Sequence, residues 1–558
     1  MRAPTDIDAI ADAHTQATFD LKPMVATECG EPGYDHRLDD LSPEGTDAVA
    51  ALNRGTLTAL DRVTPSDPID QVTLAAMRDR LELELDHIEA GDQRRDLNSI
   101  ASPLQTIRDV FDLMPTDTAD QWATIAARMA AVPAALAGYT ATLAEGIRTG
   151  NVPAIRQVRW GIDEARGLAD PLSSFFSTFI AGARPAEGNA ALAADLDAGA
   201  RAAREAYGLF AEFMSTELAP IATADDAVGR EAYQRWSRTF VGATLDLDET
   251  YDWGVEQLAA ITAEQRELSR EIVGEDTSLR DTVAHLDADP ATQIHGTEAL
   301  RAWMQATADE AIAALNGVHF DIPEPVLNLE AQIAPTQTGG IYYTPPSDDF
   351  SRAGRMWWSV PAGQTTFSTW SELTTVYHEG VPGHHLQAGQ ATANSAELNR
   401  WRRQLCWLSG HGEGWALYAE RLMDEFGFLR RPGERFGMLD AQRMRAVRVV
   451  IDIGLHLGKP AFDAYGGGIW SFDKAMAFFA DNVMITEAQR NFELHRYAGW
   501  PGQAPSYLVG QRLWQQTRAQ AEAAARARGE QFSLKDFHTR ALNLGSLPLD
   551  VLADQLSR

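Results

Sequence analysis

The chain has 558 residues, 45% of them hydrophobic and 8% aromatic, which is ample for a large apolar core. Its formal net charge of −31 argues against nucleic acid or an anionic membrane as a partner held by broad electrostatics. Two cysteines, Cys29 and Cys406, supply no disulfide framework and point to a reducing compartment.

The opening segment, MRAPTDIDAIADAHTQATFD, has no apolar stretch after its arginine and does not read as a signal peptide. No run of about 18 apolar residues follows anywhere, so no membrane span is expected. These features together predict a cytoplasmic protein.

Up to about residue 330 the chain reads as helix after helix. QWATIAARMAAVPAALAGYTATLAEGIRTG carries apolar residues at three- and four-residue steps and stops at Gly150. NAALAADLDAGARAAREAYGLFAEFMSTEL is built from strong helix formers. LDETYDWGVEQLAAITAEQRELSREIVG starts acidic and stops at a glycine. No fixed-period repeat is visible. Between residues 320 and 361 prolines, the Gly339-Gly340 pair and the run Ile341-Tyr342-Tyr343 predict a small β-sheet or ribbon. An edge strand there could hold an extended peptide, or could be an ordinary hairpin. Helical texture returns in TTFSTWSELTTVYHEG, from Cys406 to Phe426, in MLDAQRMRAVRVVIDIGLHLG and in SFDKAMAFFADNVMITEAQRNFELHRYAG. PGQAPSYLVGQRLWQQTRAQAEAAARARG reads as a loop entering a last long helix.

The chemistry concentrates in VYHEGVPGHHLQAGQ. His378 and Glu379 open it as HExxH does in a zinc peptidase, but the next histidines are His384 and His385. On a regular helix, residues six apart rise about 9 Å and point to roughly opposite sides, and residues seven apart lie about 10.5 Å apart along the axis. Zn–N bonds of about 2.0–2.1 Å cannot span that. The helix cannot be regular, however. Pro382 has no N–H for the carbonyl of His378, and Val381 before it is pushed out of the α region. Looping out part of Gly380-Val381-Pro382 puts His384 where HExxH has its second histidine and leaves Glu379 beside the metal as general base. A kinked helix that ligates through His378 and His385 is the competing geometry.

LSGHGEGWALYAERLMDE supplies the third ligand. Glu413 and Glu420, seven apart, share one helix face, so that one can ligate while the other hydrogen-bonds a histidine. His411 is either a neighbour of the helix cap or an auxiliary ligand. Downstream, Tyr507 and Tyr497 are candidate donors to a developing oxyanion, and Arg496 could grip a substrate carboxylate. His456 either reaches the site or merely pairs with Asp452 one turn away. Tyr342 and Tyr343 line the site or fill core. Trp357, Trp358 and Trp370 read as packing.

HEGVPGHHLQ, GEGWALYAE and RYAGWPGQAPSYLVGQ together resemble the bacterial family catalogued as domain of unknown function 885. That family looks like a distant relative of the helical zinc peptidases: the neurolysin-like oligopeptidases, angiotensin-converting enzyme and the thermostable carboxypeptidases. Their HExGH matches Gly383-His384 and favours His384 as second ligand. In the thermostable carboxypeptidases the glutamate ligand is followed seven residues later by another, as Glu413 is by Glu420. The resemblance implies a mainly α, two-lobed zinc-peptidase-like fold with a deep cleft and a small β element at its edge. Residues 1–335 would form a helical scaffold lobe and 336–558 a metal-binding catalytic lobe, the two within one continuous bilobed domain. The expected function is zinc-dependent hydrolysis of short peptides. Metal ligands are His378, His384 and Glu413, with Glu420 behind them. Glu379, Tyr507 and His456 act in catalysis, and Arg496, Tyr497, Tyr343 and His385 contact substrate. A metal-dependent hydrolase of another amide or ester, or a degenerate helical binding protein, are the rivals.

Overall fold

A computed structural model of the protein describes residues 2–184, 188–335 and 340–557. The long helices follow the apolar periodicity. Helix α1 (Ala119–Thr149) ends at Gly150 in the left-handed conformation, φ 73°. Helix α2 (Ala190–Phe213) runs into a single π turn over Met214–Leu218. Helix α3 (Leu247–Ile272) is capped by the Asp246 side chain, which accepts from the N–H groups of Asp248 and Glu249.

Five short strands follow: β1 (Gln293–His295), β2 (Leu329–Ile333), β3 (Ile341–Thr344), β4 (Gly354–Trp358) and β5 (Thr366–Ser368). The expected sheet is three-stranded, in the order β2-β4-β3, with β2 parallel and β3 antiparallel to β4. Gly339 of the glycine pair lies outside the described residues. The antiparallel β1–β5 pair was not expected, because it joins segments some seventy residues apart, His295 opposite Thr366.

The remaining helices build the site: α4 (Thr369–Glu379), α5 (His384–Ala393), α6 (Ser409–Glu425), α7 (Pro432–Leu457), α8 (Glu487–Gly499) and α9 (Ser506–Ala527). The segment read as one helix from Phe472 is two, because 483–486 breaks it before a Thr486 capping box opens α8.

Two apolar cores result. The smaller joins α1 and α2 through residues such as Met129, Tyr139, Ala203 and Phe210. The larger runs from Ala11 to Leu556 and holds residues on both sides of position 335. It contains the walls of the site. The described residues are thus mainly helical with a small sheet, and none of the helices is long and apolar enough to cross a membrane.

Candidate metal centre

The histidine-bearing segment is broken where its sequence demands. Helix α4 ends at Glu379, and α5 begins at His384. Between them Gly380 leaves helical geometry at φ −93°, ψ −128°, and Gly383 does the same at φ −77°, ψ −131°. The Gly383 N–H returns to the Tyr377 carbonyl at 3.0 Å. A Cβ on Gly383 would lie 1.9 Å from the His378 carbonyl oxygen, so only glycine fits. Trp415 of α6 ties the break down through its indole N–H, which donates to the Pro382 carbonyl at 2.8 Å.

The break brings His378, His384 and Glu413 together: one ligand atom from each lies within 4.8 Å of the other two. Glu413 Oε2 is 3.2 Å from His378 Nε2 and 3.6 Å from His384 Nε2. The two imidazole rings are perpendicular, 4.8 Å apart between centroids. For a tetrahedral zinc with bonds of about 2.0–2.1 Å, ligand atoms lie about 3.3 Å from one another. The donor set and its spacing therefore fit a zinc ion, with one position left for a small ligand.

Behind the ligands, His378 Nδ1–H donates to Glu420 Oε1 at 2.8 Å, and the Thr374 hydroxyl donates to Glu420 Oε2 at 2.5 Å. This fixes the tautomer that turns His378 Nε2 toward Glu413. Burial disfavours an imidazolium at His378, but hydrogen bonds to Glu413 and Glu420 outweigh it and push the pKa up to about 10. Burial likewise favours the neutral form of Glu413, and the two imidazoles overcome it, holding that carboxyl far below its ordinary range.

Glu379 is 6% exposed and has no hydrogen-bond partner among the described residues. Burial pushes its pKa up, against the pull of His378 and His384. Tyr507, half-buried, also has an unpaired hydroxyl among the described residues. Its ring lies 5.1 Å from the Arg448 guanidinium. Burial raises its pKa, the negative charge of Glu413 adds to this, and Arg496 and Arg448 oppose it. Tyr507 comes near Glu413 because α6 and α9 cross main chain to main chain. A Cβ on Gly510 would lie 2.2 Å from the Gly410 carbonyl oxygen, and one on Gly414 would lie 2.5 Å from the Gly510 carbonyl carbon.

Other sequence candidates lie elsewhere. His385 is fully buried and turned away from the ligands: its Nε2–H donates to the Val326 carbonyl at 2.7 Å, and its Nδ1 accepts from the Tyr343 hydroxyl at 2.9 Å. A substrate contact for His385 is corrected on that ground, and Tyr343 serves first as its anchor. His456 is sealed too, its Nε2–H donating to the Tyr497 carbonyl at 2.9 Å, so a catalytic place for it is also corrected. The expected Asp452–His456 pair is absent; Asp452 accepts instead from Tyr233 and the Gly502 N–H. Tyr497 is fully buried, donating to Glu493 and accepting from Arg448 Nε at 2.8 Å, which removes it as a substrate contact. Arg496 is engaged by Glu493 and Gln503 and has no free fork for a carboxylate. His411 packs on Trp514 and accepts from Gln387, outside the ligand group. Tyr342, 41% exposed, stacks on Trp357, while Trp358 and Trp370 are buried. Sequence reasoning missed Thr374, which only the three-dimensional pairing with Glu420 reveals. It also missed the crossing at Gly410 and Gly414, whose four-residue spacing was a readable signal.

Fold and site together define a mainly helical protein with a partly buried His-His-Glu cluster of metal-ligating type. The chain belongs to the family of bacterial proteins of unknown function DUF885, whose profile matches residues 23–556. Among solved structures it is similar to a "putative lipoprotein" from Colwellia psychrerythraea, with a TM-score of 0.85 at 21% identity over 99% of this chain and 98% of that one. A protein of the same description and of unknown function from Shewanella oneidensis matches with a TM-score of 0.75 at 16% identity over 99% of both chains. Those identities carry the fold alone. No curated protein gives a significant match.

Proposed function

We propose that the protein is a zinc-dependent hydrolase of short peptides, a metallopeptidase working in a cleft between two helical lobes. The observation that carries this reading is the convergence of His378 Nε2, His384 Nε2 and Glu413 Oε2 at zinc-ligand spacing, with the unpartnered carboxyl of Glu379 next to His378 in the same broken helix. Zinc, when bound by these three residues, supplies a Lewis acid that polarises a carbonyl and acidifies water. Glu379, made more basic by burial, accepts the proton of the attacking water as a carboxylate and returns it to the leaving amine. The free hydroxyl of Tyr507 donates to the oxygen on which negative charge develops. Glu420 and Thr374 hold the His378 ring so that its Nε2 stays on the metal side.

The free thiols of Cys29 and Cys406 support a cytoplasmic setting. The description of the two structural neighbours as lipoproteins supports the cell envelope instead, and fractionation of the native cells separates the two.

Metal analysis of the purified native protein tests the core of the reading: about one zinc per chain is expected, with hydrolysis lost on chelation and restored by zinc. Activity that survives complete metal removal would overturn it. A panel of short peptides beside small amides and esters separates peptidase from the more general hydrolase. Bound zinc with no turnover on any of them favours the degenerate binding protein.

A further inference from the structure

Away from the metal ligands, the helices Asp6–Leu21, Pro43–Leu60 and Pro68–Ala90 and the short helix Arg400–Gln404 surround a cavity of about 180 Å³. Its apolar wall is made by Leu21, Val25, Val49, Leu52, Trp401 and Leu405. Its polar end carries an ion pair, Lys22 Nζ to Glu84 Oε1 at 2.6 Å, and Asn53 donates to the other Glu84 oxygen at 2.8 Å. These two charged side chains keep 32% and 38% of their surface exposed, although both line the cavity. Burial opposes each charge, and their mutual attraction outweighs it, so both are ionised. His14 closes the same end. It touches Thr56 at 2.9 Å and, with burial lowering its pKa to about 4, adds no charge.

Empty packing gaps are apolar, whereas a polar end holds water or the polar groups of a ligand. This one sets a positive and a negative group side by side at one end, each with hydrogen-bonding capacity left. Lys22 has used one of its three N–H donors, and each Glu84 oxygen has accepted one bond. The remaining volume is bounded by aliphatic side chains, Trp401, Thr18 and Arg80, whose guanidinium is already engaged by Asp79 and the carbonyls of Arg238 and Thr239. An apolar cavity of about 150 Å³ admits benzene, so this one has room for a molecule of leucine size. The ligand that answers both ends carries an ammonium and a carboxylate on one carbon and an apolar side chain.

We propose that this cavity is a binding site for a free amino acid with an apolar side chain, its ammonium on Glu84, its carboxylate on Lys22 and its side chain against Trp401. The site is independent of the hydrolase reading, since none of its lining residues belongs to the metal cluster.

Calorimetric titration of the full chain with L-leucine tests it. One-to-one binding is expected, with glycine, L-leucinamide and 4-methylpentanoate each at least about tenfold weaker, because each lacks the side chain, the carboxylate or the ammonium. Val49→Phe fills the cavity and should abolish binding. Lys22→Met combined with Glu84→Gln should do the same without adding volume, which keeps the test valid if Val49→Phe does not fold. No leucine binding, equal binding of the three analogues, or undiminished binding in the folded variants would overturn the proposal. The last outcome would place the ligand elsewhere, including at the metal.

Discussion

Two polar clusters, each with a glutamate and a tyrosine, meet where Arg448 lies against the Tyr507 ring. In one, His378, His384 and Glu413 converge while Glu379 and the Tyr507 hydroxyl have no partner among the described residues. In the other, Arg448, Glu493, Tyr497, Arg496 and Gln503 are tied to one another, and Asp452 fastens Tyr233 and the Gly502 N–H. Burial is similar in the two. What differs is what remains unspent. The second cluster spends most of its hydrogen bonds in holding α7, α8 and the 500–505 loop together, although Asp452 Oδ2 and Arg496 Nε are buried without a partner among the described residues. The first leaves the Glu379 carboxyl and the Tyr507 hydroxyl unpartnered among the described residues. Burial does not separate the two clusters; the bonding capacity left at Glu379 and Tyr507 is what supports the roles proposed for those two groups.

The largest effect should come from the unpartnered base. Glu379→Gln keeps shape and removes basicity, and turnover should fall about 10²- to 10⁴-fold with zinc content unchanged. If the metal is lost instead, Glu379 is a ligand and the contrast with the second cluster dissolves. Tyr507→Phe should lower kcat about 10²- to 10³-fold at nearly constant KM, the scale of a lost oxyanion donor. Tyr497→Phe, in the second cluster, should act on the melting temperature and leave the kcat/KM pattern across substrates intact. Equal kinetic loss in both tyrosine variants would erase the distinction.

The histidines sharpen it further. Zinc titration of His384→Ala should show affinity lost beyond the roughly 10- to 100-fold expected for Glu420→Gln, in which only the residue behind a ligand changes. His385→Ala should retain the metal, since its two nitrogens face Val326 and Tyr343. Retention in His384→Ala with loss in His385→Ala would reverse the assignment.

The smallest effect concerns pH and the zinc-depleted protein. His378 has its pKa raised from 6.5 to about 10, so its contribution to stability is full below about pH 6.5 and is lost as pH rises through 10. Glu413 has its pKa lowered, so its contribution is present above its ordinary carboxyl range and is lost in acid. Thermal melts of chelated protein should therefore decline from pH 6.5 to 10, while added zinc, which needs His378 deprotonated, should stabilise more toward the alkaline end. A flat alkaline limb in the chelated protein would remove His378 from the cluster.

Much of the site was legible because its cause is local. Pro382 and the two glycines announce the break in the chain itself, and Glu413 with Glu420 declare a shared helix face by spacing alone. The helices could be read from periodicity for the same reason. What escaped is set by distant partners. Nothing near His385 reveals that Val326 and Tyr343 will claim it. Nothing near Tyr497 or Arg496 reveals the Arg448–Glu493 network, and the β1–β5 pairing depends on a contact between segments far apart in sequence.

The crossing of α6 on α9 has a mechanical consequence. With Gly410 and Gly414 against Gly510, no side-chain cushion separates the two backbones. Helices in such contact translate and tilt as one body, so Glu413 and Tyr507 form a single jaw. His378 and His384, with the sheet strand that carries Tyr343, form the opposing one. Any breathing of the protein along this seam changes the distance from the carboxylate to the imidazoles and leaves the distance from the carboxylate to the phenol fixed. On the proposed reading, the lifetime of a bound ion would depend on how often these two halves part, and stiffening the Thr374–Glu420 clasp between them should slow its escape.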